Sequence, residues 1–130
     1  MSGAENWLRF AREDIRMADL ALADGLYNQV CFHSQQCAEK ALKAWLAKMG
    51  VSLPRTHRMA DLLGLMPKGM LGELPDRLLL LDQFYIPTRY PDALPGLLSD
   101  GLPERNDAEG TLTTAQELLK LIEDAIAGKQ

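Results

Sequence analysis

Cysteine is scarce in this sequence: 130 residues carry two thiols, Cys31 and Cys37. They lie six residues apart in one helical stretch and point to different parts of that helix, so an intrachain disulfide is not expected. Reduced thiols fit a cytosolic compartment. Histidine is equally rare, with His33 and His57 alone. His33 and Cys37 are spaced i, i+4, which offers two ligands to a metal, but a zinc site needs three or four and there is no second cluster. Neither a metal nor any other cofactor is expected. The chain has no GxxxxGK phosphate loop, no GxGxxG turn and no GxSxG elbow, which removes the common nucleotide-loop and serine-hydrolase signatures. No apolar run is long enough to span a bilayer and no basic–apolar leader opens the chain, so the expectation is a cytoplasmic protein with no membrane partner. Net basic charge is missing too: the formal charge is −4 and the pI about 5.1. That argues against a protein built to coat duplex nucleic acid through a basic footprint, while leaving room for a local basic patch. Strand signals are nearly absent, and no internal repeat is visible.

What remains is ordinary globular material. The apolar share is 47% and the charged share 25%. The length predicts one domain over residues 1–130. Charge is uneven along it. Residues 1–60 hold 8 Lys/Arg against 6 Asp/Glu, and residues 61–130 hold 6 against 12. An anion site would therefore draw on the first half.

Apolar periodicity predicts helices. Leu8, Ala11, Ile15, Ala18 and Leu22 define a stripe over about Glu5 to Asp24, with Gly25 as the stop. Val30, Ser34, Cys37, Ala41, Trp45 and Met49 define a second helix over about Tyr27 to Met49, ended by Gly50. Thr56 is placed to cap a short third helix over about His57 to Met66. A fourth begins near Pro75, a first-turn position, and fades near Tyr85. Ile86 to Pro103 reads as a long irregular stretch. A last helix covers about Asn106 to Ala127, with Leu112, Ala115, Leu118, Leu119, Ile122 and Ile126 on its apolar face. The predicted fold is all-α, an up-and-down bundle of four to five helices.

Two strings stand out. The first is FYIPTRYPD, Phe84 to Asp92. Pro87 and Pro91 push Ile86 and Tyr90 out of helical conformation, so Arg89 and Tyr90 are presented on stiffened chain. A guanidinium suits phosphate, and the Tyr85 or Tyr90 ring can stack on a base. A plainer role is also open: Arg89 capping carbonyls or pairing with an acid, and the tyrosines packing on the bundle.

The second string is HSQQCAEKALKAW, His33 to Trp45. His33, Gln36, Lys40 and Lys43 share one polar face at i, i+3, i+7 and i+10, and Glu39 stands four residues before Lys43 in the favourable ion-pair order. The face is either solvated, with one such pair, or a source of positive charge from Lys40 or Lys43 for an anion site. On the first helix, Arg9, Arg12 and Arg16 with Glu13 read as an exposed face. Asp14 borders the apolar stripe, which predicts a buried partner for a basic residue on a neighbouring helix. His57, flanked by Arg55 and Arg58, either meets an anion at a helix start or fixes the loop.

Taken in order, AxxD (Ala11 to Asp14), QQCAEKALKA (Gln35 to Ala44), Pro54 and His57 before Leu62 and Leu63, and RYPD (Arg89 to Asp92) resemble the HEPN domain family, over about residues 5–127. The resemblance implies a helical bundle and a homodimer. It implies a nucleotide-binding accessory protein paired with a minimal nucleotidyltransferase, or the toxin of a toxin–antitoxin pair. With the chemistry of the two strings, the candidate nucleotide contacts are Arg89, Tyr90, Tyr85, Lys40, Lys43, His57 and Asp92. Ribonuclease branches of the family cleave RNA without metal and carry an Arg, four to six residues, then a His. This sequence departs from that mark: no histidine follows Arg89, and Arg55 stands only two residues before His57. RNA cleavage thus lacks its proton-handling group, and the expectation is a non-catalytic module. The alternatives are a ribonuclease or toxin, and a structural dimerisation module.

Overall fold

The structure, a computed structural model, describes residues 3–56, 58–84 and 102–128. Helix α1 runs Gly3–Ala23, α2 Tyr27–Lys48, α3 Met59–Leu63, α4 Leu74–Leu81 and α5 Arg105–Ile126, with a 3₁₀ turn Asp82–Phe84 after α4. The described residues contain no strand. The fold is all-α, as the periodicity predicts.

The three long helices follow their apolar stripes. Leu8, Ala11 and Ala18 of α1 are buried, and Ile15 packs against the same core half-buried. Helix α2 is central and buries residues around most of its circumference, including Val30, Cys37, Ala38, Ala41, Leu42 and Leu46. Gly25 and Gly50 adopt φ of +75°. That left-handed conformation ends α1 and α2 at little cost only for glycine.

Side-chain pairs fix the helix directions. Trp7 lies against Lys43 and Asp14 against Lys40 and His33, so α1 and α2 are antiparallel. Thr111 meets Cys31 near the start of both α2 and α5, which run parallel. Arg12 of α1 pairs with Glu123 of α5 at 2.6 Å, and Arg77 of α4 with Glu117 of α5. Phe84, just after α4, clusters with Ala108 and Leu112 near the start of α5, so α4 returns antiparallel to α5, giving the up-and-down order. Leu78, Leu81, Leu118 and Ile122 close the core on that side.

Helix α3 differs from expectation. It is five residues long and its N-cap position is Arg58, not Thr56, with no cap bond from the Arg58 side chain. The first free N–H, on Met59, is taken by the Asp82 carboxylate at 2.8 and 2.9 Å. Thr56 instead accepts the Arg58 N–H at 3.0 Å and donates its hydroxyl to Asp61 at 2.7 Å. The cap comes from a residue 23 positions away, so no local pattern announces it. Helix α5 begins at Arg105, where Asp107 accepts the Glu104 N–H at 2.8 Å in a reach-back cap.

Candidate functional site

The polar face of α2 is turned inward, against α1. Asp14 is buried between the helices. Its Oδ1 accepts from His33 Nδ1 at 2.8 Å and its Oδ2 accepts from Lys40 Nζ at 2.6 Å. One carboxylate thus ties together two residues seven apart on the facing helix. This is the buried partner expected from Asp14's position beside the apolar stripe, with a histidine added that the sequence reading did not place there. Lys43 is more enclosed than Lys40: its side chain is 11% exposed against 25%. Lys43 Nζ lies 3.8 Å from Glu39, the i, i+4 pair read from sequence, and 5.3 Å from the centre of the Trp7 ring. The solvated-face reading therefore gives way to a polar seam closed by α1. It fails because α1 presents Asp14 and Trp7 to that face.

His57, Tyr85, Arg89, Tyr90 and Asp92 lie outside the described residues. Residues on both sides of 85–101 line a cleft of about 280 Å³ between α4 and α5, among them Phe84, Gln83, Asn106 and Thr111. Arg77 edges this cleft, with its guanidinium held by Glu117.

A second cleft, of about 240 Å³, opens where α1 turns into α2. Met17, Leu20, Ala21 and Leu26 form its apolar walls; Asp24, Gln29 and His33 supply its polar edge. Met17, Leu20 and Leu26 are about half exposed or more, at 49%, 61% and 48%. The sequence signal for this feature is Met17, Leu20 and Asp24 at three- and four-residue spacing, on the flank of α1 away from the main stripe.

The cysteines face the interior. Cys31 receives the Thr111 hydroxyl at 3.5 Å, and burial pushes its thiol up to about 11. Cys37 is fully buried and is raised further, by burial first and the Asp14 charge second. Among the described residues no group of three or more His, Cys, Asp or Glu could hold a metal, and no helix is long and apolar enough to cross a membrane.

The HEPN domain family model matches residues 4–125. Among relatives, a candidate toxin of Methanocaldococcus jannaschii is 30% identical, covering 97% of this chain and 90% of its own. A crystal structure of a Thermus thermophilus protein superposes with a TM-score of 0.82 at 37% identity, covering 95% of this chain and 98% of that one. The crystal structure of an archaeal HEPN homologue gives 0.74 at 32%, covering 97% and 99%. An HEPN domain protein of Thermotoga maritima gives 0.67 at 31%, covering 94% and 98%. The helical bundle is thus that of an HEPN domain. The chain belongs to the HEPN domain family.

Proposed function

We propose that this chain is a nucleotide-binding accessory protein, one domain that acts as a homodimer with a minimal nucleotidyltransferase partner. The observation that carries this reading is the family match over residues 4–125, in a sequence that lacks the Arg and His pairing of the RNA-cleaving branches. In this reading Arg89 contacts phosphate, Tyr85 or Tyr90 contacts the base, and His57 and Asp92 complete the loop side of the site. Lys40 and Lys43 are the other cations of this reading; Asp14 and Glu39 already pair with their ammonium groups, so each pair adds little net potential and the phosphate contact falls mainly to Arg89.

A thermal-shift panel of nucleotides tests this reading. Stabilisation of the wild type by ATP or GTP, lost in Arg89→Ala, is the expected result. No shift with any nucleotide contradicts it. A second reading, the toxin of a toxin–antitoxin pair, is favoured by the name of the Methanocaldococcus jannaschii relative. It predicts growth arrest on expression and relief by the partner. Cleavage of RNA in the presence of chelator would make the activity a ribonuclease.

A further inference from the structure

We propose that the cleft between the end of α1 and the start of α2 is a base subsite. It takes a nucleobase bearing an exocyclic amino group, which donates to Nε2 of His33 and to the Asp24 carboxylate. This rests on the nucleotide-binding reading and seats the base here in place of the Tyr85 or Tyr90 contact.

The first support is the clamp on His33. An ionised carboxylate only accepts hydrogen bonds. Asp14 Oδ1, 2.8 Å from His33 Nδ1, therefore sets that nitrogen as the donor. In the neutral ring the proton then resides on Nδ1, and Nε2 offers a lone pair. The ring is also held by an edge contact with Phe32, with centroids 5.2 Å apart. A histidine held on one side, with an acceptor nitrogen on the other and its ring on the lip of a cleft, is set to receive a donor.

The second support is charge. The Asp14 carboxylate and Lys40 ammonium cancel within the seam, and Asp24 adds a negative charge at the cleft's edge. Such a cleft disfavours a phosphate and favours a neutral, donor-rich group. An amino-bearing base has those donors, and the Gln29 amide can both give and accept at its edge.

The third support is size and lining. At about 240 Å³ the cleft is smaller than the roughly 300–1,000 Å³ typical of whole-ligand pockets, so it suits one ring system. Met17, Leu20 and Leu26 leave apolar surface in water that a flat ring would cover. The Met17 thioether adds a polarizable contact to an aromatic face.

The test uses the intact protein and uncharged nucleosides, which carry no phosphate. Adenosine, guanosine and uridine are titrated at millimolar concentration into wild type, His33→Ala and Leu20→Arg. Binding is read from the histidine side-chain ¹H–¹⁵N signals and by calorimetry, and folding from circular dichroism. Leu20 is already exposed, so Leu20→Arg keeps the test intact if His33→Ala fails to fold. The expected result is that adenosine or guanosine shifts the His33 signals while uridine, lacking the amino group, binds about tenfold more weakly. Both variants should weaken the amino-bearing nucleosides and ATP by about tenfold. ATP or GTP binding that is unchanged in both folded variants overturns the subsite and leaves the nucleotide reading standing. Failure of every nucleoside and nucleotide to bind the wild type overturns both.

Discussion

The Asp14 carboxylate of α1 receives the Lys40 ammonium of α2 at 2.6 Å, with the acid side chain 10% and the lysine 25% exposed. This pair and the His33 bond join the two helices that pack most extensively on each other. Removing the acid leaves an ammonium and an imidazole donor facing a largely closed seam. Asp14→Ala should therefore destabilise the fold by about 2–3 kcal/mol, below the 3–5 typical of a fully buried pair because Lys40 reaches water. Chemical denaturation with a matched Asp14→Asn variant checks this. Loss under 0.5 kcal/mol in both, a roughly surface-like value, would show that the seam contributes little.

The thiols offer a probe of native packing. Burial raises Cys31 to about 11 and Cys37 further, so at pH 8 neither holds more than a trace of thiolate. Ellman's reagent should report no fast thiol in the native protein and two after denaturation. A rapid native reaction would contradict the packing of α2 against α5.

Asp82 carries the cap of α3 at a price in desolvation. Burial is the first cause of its raised carboxyl, offset by the Met59 N–H and Arg58. The folded state thus holds this proton more tightly than the unfolded chain. The associated stability is full below the ordinary value of 3.8 and is lost as pH rises through the raised folded value. Asp82→Asn keeps an acceptor and removes the charge, so its stability relative to wild type should improve as pH rises through that window. Asp82→Ala loses the cap and should cost about 1 kcal/mol at neutral pH. Urea midpoints across acid to neutral pH decide it; a constant difference between wild type and Asp82→Asn would refute the burial account.

Much of the bundle was legible because its long helices carry their own periodicity. The stripes Leu8–Leu22, Val30–Trp45 and Leu112–Ile126 end up buried or half-buried, Met49 at the end of the second stripe is exposed, and Gly25 and Gly50 stop helices where expected. Asp14 was legible for the same reason: a charge beside an apolar stripe must find a partner. Helix α3 was not, because its cap is a tertiary contact from Asp82 rather than a neighbour in sequence. The inward turn of Lys43 depended on Trp7 lying opposite, a fact of helix pairing that periodicity on one helix does not contain. The cleft at His33 needs α1 and α2 together for the same reason.

The most direct test of the nucleotide-binding reading is calorimetric titration of ATP and GTP into wild type and Arg89→Ala at low and moderate salt. Phosphate contacts should make the affinity fall as salt rises, and Arg89→Ala should weaken it by about tenfold or more, the value of one charge-assisted hydrogen bond to phosphate. Absence of heat with the wild type, while Arg89→Ala remains folded, would contradict the account and leave the Arg89 stretch as a scaffold or partner surface.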